Sequence, residues 1–193
     1  SVAIYGDVIV VGAPSDGDNG WWRESGSAYV FVRSGEEWTH QTKLFAPGGA
    51  FDYFGKSVAI YGDVIVVGAS WDNFNGDDSG SAHVFVRSEE KWTHQAKLMA
   101  PDGAACDAFG TSVSIYDNSI AVGAWRDDDN GFASGSAYVF VRSGEEWHQT
   151  EQLAMRLEPV SQSTIIALLL ALGEMMTMDS PVDRHMSLFE AER

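Results

Sequence analysis

The sequence is poor in cysteine and in basic residues. It contains one cysteine, Cys106, so no disulfide can form within the chain and a disulfide-stapled fold is excluded. Lys and Arg number 12 against 28 Asp and Glu, which gives a net charge of −16. Nucleic acids and anionic membranes are bound through clustered Lys and Arg, so neither is an expected partner.

Long hydrophobic runs are scarce as well. The longest, 165–172, has eight residues, well short of the ~20 that a membrane-spanning helix needs. The chain opens with Ser1 rather than Met and shows no basic and then apolar leader, so neither a signal peptide nor a transmembrane segment is expected. What the sequence does have is 45% hydrophobic and 12% aromatic residues, enough for the core of a folded protein.

Internal repetition is the main feature of the first 153 residues. Each copy opens with a block like SVAIYGDVIVVGA and closes with a block like GSAYVFVRSGEEW, and a leucine follows six residues after the tryptophan. Repetition this faithful indicates one structural unit used three times. The opening block lies at 1–13, 57–69 and 112–124, and the closing block at 26–38, 80–92 and 135–147.

Each copy holds four strand-like runs separated by turn residues, which in the second copy are 57–61, 64–69, 80–87 and 92–98. The second run is continuously apolar, which is typical of a strand buried on both faces, and the fourth alternates like a half-exposed edge strand. Four antiparallel strands in a unit of roughly 50 residues indicate a propeller blade. We therefore predict an all-β fold of three four-stranded antiparallel blades.

The domain organisation follows from these repeats. The predicted blades, about 1–50, 51–106 and 107–153, form an incomplete propeller, because closed propellers typically have about four to eight blades. Two open edges would remain, so we expect the chain to be a fragment of a longer protein or to self-associate. The tail, 154–193, lies outside the repeat, and its composition predicts that it is partly helical.

Two short motifs recur at fixed places in the copies. Phe54-Gly55 and Phe109-Gly110 precede the second and third copies, and Val67-Gly68-Ala69 and Val122-Gly123-Ala124 end their second strands. Together these motifs resemble the FG-GAP repeat of integrin-α-like propellers; the kelch repeat fits less well because its Gly-Gly pair is missing. The resemblance covers about residues 1–153, although the first copy begins after the Phe-Gly position. It implies propeller blades that act in extracellular adhesion and ligand binding, and hence an extracellular or cell-surface location.

The resemblance does not bring the family's calcium site with it. Members that bind calcium carry an Asp-rich DxDxDGxxD loop between the Phe-Gly strand and the Gly-Ala-Pro strand. Here that interval holds only Tyr5-Gly6-Asp7, Tyr61-Gly62-Asp63 and Tyr116-Asp117-Asn118. Calcium takes about six to eight oxygen ligands, which a tight hairpin turn cannot supply. The sequence resembles a loop-shortened variant of the repeat.

Acidic residues gather in the loops after the second and fourth strands of each copy. Antiparallel alternation puts these loops on one face of the propeller and the hairpins on the other. We predict a strongly acidic loop face, opposed only by Arg23 and Arg126. Its twelve acids are Asp16, Asp18, Glu24, Asp52, Asp72, Asp77, Asp78, Asp102, Asp107, Asp127, Asp128 and Asp129.

Part of this loop set has the composition of a cation site. Asp and Asn oxygens near a bend-forming Gly suit a divalent ion such as Ca²⁺, the one cofactor that the sequence suggests. Their spacing lacks the alternation of an EF-hand-type loop, so the favoured alternative is turn formation through bonds to the nearby backbone. The candidate ligands are Asp16, Asp18, Asn19, Asp72, Asn73, Asn75, Asp77, Asp127, Asp128, Asp129 and Asn130.

Tryptophans in the same loops suggest a ligand-binding surface. Aromatic rings beside carboxylates suit a protein ligand or a glycan, and the candidates are Trp21, Trp22, Trp71 and Trp125. Trp21 and Trp22 occupy the longer, non-repeated loop and are the better surface candidates, whereas packing between blades is favoured for the other two. Packing between blades is also expected for the tryptophans at the repeated position, Trp38, Trp92 and Trp147.

Catalysis is not expected. The carboxylates recur at equivalent places, whereas a general acid and base need two different environments. His83, which stands where the other copies have Tyr, and Cys106 have no equivalent in the other copies and no partners at motif spacing. His83 is interpreted as a tolerated strand substitution for Tyr. We therefore expect a non-enzymatic binding or adhesion module that presents its acidic loop face to a protein ligand. A carbohydrate-binding or glycan-hydrolysing propeller is the alternative.

Overall fold

The computed structural model describes residues 1–17, 25–47, 52–129, 131 and 133–154. These residues form twelve β-strands and no helix. The predicted helical tail lies outside them, except that residue 154 ends the last strand. The strands are β1 Val2–Tyr5, β2 Val8–Ala13, β3 Ser27–Ser34, β4 Glu37–Leu44, β5 Phe54–Tyr61, β6 Val64–Ala69, β7 Ser81–Ser88, β8 Lys91–Leu98, β9 Phe109–Tyr116, β10 Ser119–Ala124, β11 Ser136–Ser143 and β12 Glu146–Ala154.

The strands form three antiparallel sheets in chain order, with β1–β4 as blade 1, β5–β8 as blade 2 and β9–β12 as blade 3. The predicted all-β fold, with three four-stranded blades of an incomplete propeller, is confirmed. Tight turns close the first hairpin of each blade, and Gly6 and Gly62 supply the positive φ there, at +54° and +56°. Asp117 takes φ 51° in the third copy, a conformation that Asp tolerates better than most residues.

The Phe-Gly pair belongs to the first strand of its blade, so β5 and β9 begin earlier than the sequence predicted. Phe54 pairs with Ala69 beyond a β-bulge and also forms a parallel bridge to Gly26 of blade 1. Its neighbour Gly55 approaches blade 1 so closely that a Cβ atom on Gly12 would collide with the Gly55 carbonyl oxygen. The Phe-Gly segment therefore connects its blade to the preceding blade through direct backbone contacts.

Each blade packs one sheet face against its neighbour. Val10 and Val30 of blade 1 share a buried cluster with Phe54 and Val58 of blade 2, and equivalent residues form a second cluster between blades 2 and 3. Full burial of each such side chain contributes about 1.5–3 kcal/mol. These two clusters are the hydrophobic core of the described chain.

A tryptophan and a glutamine link neighbouring blades. The indole Nε1 of Trp92 donates to Oε1 of Gln41, and Nε1 of Trp147 donates to Oε1 of Gln95, each over 3.1 Å. Both glutamines are the extra residue of a β-bulge in the fourth strand. The prediction that Trp92 and Trp147 pack between blades is confirmed. For Trp38 it is wrong, because no described sheet covers that face of blade 1 and the side chain is 39% exposed.

A serine makes a further link between blades. The hydroxyl of Ser1 donates to the carbonyl oxygen of Gly55 over 3.3 Å, and that of Ser57 donates to the carbonyl oxygen of Gly110 over 2.8 Å. The equivalent hydroxyl in blade 3, on Ser112, is buried and has no hydrogen-bond partner. Three kinds of contact therefore recur at both junctions between blades: the close approach of the Phe-Gly segment, the bond from tryptophan to glutamine and the bond from serine to the glycine carbonyl.

Candidate functional site

The loops after the second and fourth strands of the blades meet on one face, here called the loop face. The backbone N–H of Cys106, in the loop after β8, donates to the carbonyl oxygen of Asp77 in the loop after β6 over 2.7 Å. Arg126, after β10, donates in the same way to Asp107 over 3.3 Å. The predicted clustering of these loops is confirmed, and the sheets below hold them in place.

An aspartate three residues after the second strand anchors each of these loops. In blade 1, Oδ2 of Asp16 accepts hydrogen bonds from the hydroxyls of Tyr29 (2.6 Å) and Ser27 (2.7 Å). The ammonium group of Lys43 lies 2.9 Å from the same oxygen. The hydrogen bonds from Tyr29, Ser27 and Lys43 lower the pKa of Asp16 to about 2. This carboxylate is ionised at neutral pH and connects its loop to the third and fourth strands of the blade.

Blade 2 repeats the arrangement around Asp72, which is buried. Its Oδ2 accepts from Ser81 over 2.6 Å and lies 2.6 Å from the ammonium group of Lys97. Burial alone would raise the pKa of Asp72, but the hydrogen bonds from Lys97 and Ser81 outweigh it and hold the pKa below its ordinary value. Blades 1 and 2 thus neutralise the loop aspartate with a lysine from their own fourth strand.

His83 takes the tyrosine's place in the blade 2 network. Its Nε2 lies 3.2 Å from the hydroxyl of Ser81, and its Nδ1 lies 3.0 Å from Nε2 of His94. Burial, then the neighbouring His94, lower the pKa of His83 to about 3, so the ring is neutral. The pair of imidazoles extends the hydrogen-bonded network to the outer strand.

Blade 3 departs from the other two at the same place. The hydroxyl of Tyr138 lies 2.8 Å from Oδ2 of Asp127 and 3.0 Å from Oδ1 of Asp102. The fourth strand supplies Gln152 instead of a lysine, and its amide donates to the Tyr138 oxygen over 3.3 Å. The hydroxyl of Ser136, the counterpart of Ser27 and Ser81, is buried and has no hydrogen-bond partner.

The loop face exposes less negative charge than predicted. Asp52, Asp72, Asp107 and Asp127 are buried, so they do not present a charge to solvent. Lys43 and Lys97 reach the face from the fourth strands, and the sequence analysis did not count them. Asp18, Glu24 and Arg23 lie outside the described residues. The acids exposed on the face are Asp77, Asp102, Asp128 and Asp129.

The candidate cation ligands act largely as turn formers. Oδ1 of Asp72 accepts from the N–H of Phe74 over 3.0 Å, and Oδ1 of Asn73 accepts from the N–H of Asp78 over 2.7 Å. No group of three or more His, Cys, Asp or Glu side chains in the described part of the chain is arranged to hold a metal ion. Asn75 and Asp77 lie exposed in the same loop, while Asp18, Asn19 and Asn130 lie outside the described residues. Calcium binding stays a prediction.

Two aromatic side chains stand out on the loop face above blade 2. Trp71 is 43% exposed and stacks on Tyr53 with ring centroids 4.1 Å apart, so the expectation that Trp71 packs between blades is wrong. Phe74, which the sequence analysis did not single out, is 70% exposed, with the Lys97 ammonium group 4.6 Å from its ring centroid. The other candidates, Trp21 and Trp22, lie outside the described residues.

A pocket of about 440 Å³ lies between the loops after β8 and β10. Trp125, half-buried, forms part of its wall, with the guanidinium of Arg126 4.7 Å from the ring centroid. Burial, with a smaller contribution from the aspartates at 127–129, raises the pKa of Asp107 in this wall. The lining residues are Ala105, Cys106, Asp107, Trp125, Arg126, Asp128 and Ala133.

Comparison with known families accounts for the repeated architecture. The FG-GAP repeat family matches three segments, residues 1–31, 38–85 and 92–140. The chain belongs to the FG-GAP repeat family. No curated protein matches it. Within the described part of this FG-GAP chain, no helix is long and apolar enough to cross a membrane.

Some residues of the site could be predicted from the FG-GAP repeat pattern, and others could not. The loop aspartate follows directly from the motif, because Asp16, Asp72 and Asp127 stand at one repeat position. Lys43 and Lys97 could also have been found, since they share a repeat position one residue before the final leucine of their strands. The pocket beside blade 3 depends on how two separate loops meet, and no spacing within one repeat encodes that.

Proposed function

We propose that this FG-GAP chain is a non-enzymatic binding module, extracellular or at the cell surface, that holds a protein ligand on its loop face. The observation that carries the proposal is the pocket beside Trp125 and Arg126, at the meeting of two loops. Trp and Arg are enriched among the residues that dominate binding energy in protein interfaces. Loops mounted on rigid sheets are the usual carriers of such sites.

Exposed aromatics extend the surface beyond the pocket. Trp71 and Phe74 are 43% and 70% exposed and offer large apolar anchors above blade 2. The exposed carboxylate of Asp128 lines the pocket, and the exposed Asp129 is the next residue of the chain. This combination favours a ligand with an apolar contact and a complementary basic side chain.

Binding experiments with paired variants test the proposal. Labelled chain is applied to a panel of secreted proteins and receptor ectodomains, and each positive is repeated with Trp71→Ala and Trp125→Ala. Loss of at least tenfold in affinity, about 1.4 kcal/mol, is expected for either variant. Tyr116→Ala, which removes an exposed aromatic from the hairpin face, is the control and should bind normally. Equal losses in all three variants, or no ligand in the panel, would contradict the proposal.

Carbohydrate binding is a second candidate, favoured by the stacked pair of Trp71 and Tyr53. An exposed aromatic face suits the C–H groups of a sugar ring. A glycan array read with the wild type and Trp71→Ala distinguishes this candidate, since specific glycan signals that vanish in the variant would support it. The glycan-hydrolysing form would use Asp107, whose pKa is raised, as the acid beside Asp128 in the pocket. A hydrolase screen against Asp107→Asn tests that form.

We also infer that the outward face of blade 1 needs cover, either from further blades of a longer chain or from self-association. Val2 and Ile4 on this face are 65% and 63% exposed, and edge sheets with exposed apolar side chains attract partners. Light scattering of the chain over a range of concentrations should reveal oligomers. A monodisperse monomer at all concentrations would contradict self-association.

A further inference from the structure

Among the described residues, blade 3 has no counterpart of the positive charge that its two sister blades place on the loop aspartate. The ammonium groups of Lys43 and Lys97 lie 2.9 Å and 2.6 Å from the carboxylates of Asp16 and Asp72. The residue at this position of β12 is Gln152, whose amide contacts the Tyr138 hydroxyl instead. Oδ2 of Asp127 is therefore left without the cation that the same oxygen has in blades 1 and 2.

A second donor is also missing from this carboxylate. Ser27 and Ser81 stand opposite Ala13 and Ala69 in their sheets and donate to Oδ2 of the loop aspartate over 2.7 Å and 2.6 Å. Ser136 stands opposite Ala124 in the same register and is fully buried, yet its hydroxyl has no hydrogen-bond partner in the described part of the chain. A buried hydroxyl without a partner destabilises the fold, so this group is available to a ligand that reaches the carboxylate.

The charge around this place is strongly negative. Asp102 and Asp127 both contact the single hydroxyl of Tyr138, which can donate its proton to only one of them. The pKa of Asp129 is raised, first by Asp127 and then by burial and Asp102. Among the described residues that line the adjoining pocket, Arg126 is the one basic side chain, and it stacks on Trp125.

We propose that this cluster, Asp102, Asp127 and Ser136, binds the ammonium group of a lysine side chain on a protein ligand. The ligand's lysine takes the position that Lys43 and Lys97 fill in blades 1 and 2. The proposal rests on the proposed function, because it names the chemistry by which the loop face recognises a protein.

The position is open to an incoming side chain. Lys43 and Lys97 are 15% and 29% exposed along their side chains, so the place of the ammonium group lies close to solvent. In blade 3, Gln152 and Asp102 are both exposed. An ammonium group entering between them gains charge-assisted hydrogen bonds to two carboxylates, which are about twice as strong as neutral ones.

The test uses the amine itself as the probe. Nα-acetyl-lysine methylamide is titrated into the isotope-labelled full chain, and the backbone amide signals of Asp127 and Ser136 are followed by NMR. The probe should shift these signals, whereas its Nε-acetylated form, which has no charge, should not. Gln152→Lys supplies the internal lysine and should weaken binding of the probe at least tenfold, about 1.4 kcal/mol.

The matched variant works in the opposite direction. Lys97→Gln removes the cation from Asp72 but adds no second carboxylate, because Gly48 stands at the repeat position of Asp102, and Ser81 is already bonded to Asp72. It should create a second site weaker than that of blade 3, seen as probe-dependent shifts at Asp72 and Ser81. The dispersion of the amide spectrum checks that both variants are folded. Equal binding of the acetylated probe, or unchanged binding by folded Gln152→Lys, would overturn the proposal. So would calcium chloride that shifts the Asp127 signals when the amine probe does not, because the site would then be a metal site.

The outcome can be separated from that of the proposed function. Binding of the amine probe in a chain for which no protein ligand is found would support the site and overturn the protein-binding function. A protein ligand whose affinity depends on Trp125 but not on Gln152→Lys would support the function and overturn the lysine site.

Discussion

Residues 1–13 and 57–69 have the same sequence and opposite surroundings. Both form a two-stranded hairpin in the same register, with Val2 opposite Val11 and Val58 opposite Val67. Yet Val2 is 65% exposed, while Val58 is completely buried against blade 1. The local sequence thus determines the hairpin, and the presence or absence of a neighbouring sheet determines whether its apolar side chains form a core.

The difference extends across the whole sheet face. Ile4 is 63% exposed and Ile60 only 8%, and Trp38 is 39% exposed where Trp92 has a glutamine partner. The outward face of blade 1 therefore has the same residues with which blade 2 packs against blade 1. These side chains stabilise the fold only if another sheet packs against the outward face of blade 1.

The largest expected difference comes from shortening the paired isoleucines. Ile60→Ala removes methyl groups from a closed core and should lower the free energy of unfolding by about 2–5 kcal/mol. Ile4→Ala changes an exposed side chain and should cost less than about 0.5 kcal/mol. Chemical denaturation of both variants measures the contrast. Equal losses would mean that the outward face of blade 1 is covered in solution.

A smaller difference is expected from the bulge residues of the fourth strands. Gln41→Ala leaves the Trp92 indole N–H without its acceptor and should cost about 1 kcal/mol. Thr150 is the bulge residue of blade 3 and serves as the control, because no described tryptophan donates to it. Thermal unfolding followed by tryptophan fluorescence distinguishes the two. The Thr150 hydroxyl donates within its own blade, to the carbonyl oxygen of Val139 over 3.4 Å. A Thr150→Ala loss as large as that of Gln41→Ala would mean that the contact between blades adds nothing beyond such a local bond.

The smallest effect concerns the interior of blade 1, which keeps its own hydrogen bonds although its outward face is open. The pKa of Asp16 is lowered from 3.8 to about 2, so its contribution to stability is present above pH 3.8 and is lost as the pH falls towards 2. Asp16→Asn should flatten this part of the pH dependence of stability, by less than about 1 kcal/mol because solvent screens the group. Asp77→Asn, the same substitution at an exposed loop carboxylate, is the matched control variant. An unaltered profile in Asp16→Asn would mean that the contacts of Asp16 with Tyr29, Ser27 and Lys43 are not formed in solution.

The repeat made much of the fold predictable. The turn pair Gly62-Asp63, the apolar strand after it and the alternating fourth strand each indicate their structure locally, and three copies remove the ambiguity of one. The same logic failed for Phe54, which the sequence treats as a motif residue before the strand. Its pairing with Gly26 of blade 1 involves residues far apart in the chain.

The site was less predictable because burial decides what an acidic loop does. Composition counts Asp72 and Asp127 as surface charge, but the structure buries both. Alternation along β8 puts Lys97 on the apparent solvent side, and only the bulge at Gln95 and the closeness of the loop explain its contact with Asp72. Trp71 stacks on Tyr53, which comes from a different loop, and no spacing within one repeat indicates that contact.

The unpaired hydroxyl of Ser112 has a consequence for cooperativity. Ser1 and Ser57 each bond to the glycine carbonyl of the following blade, so every junction repeats one set of contacts between nearest neighbours. A chain built in this way behaves like a one-dimensional array, in which stability is approximately a sum of one term for each blade and one for each junction between neighbours. Three blades have two such junctions. A further blade packed against blade 3 would accept a bond from Ser112 and would add one more junction, with nearly the same free energy as each of the others.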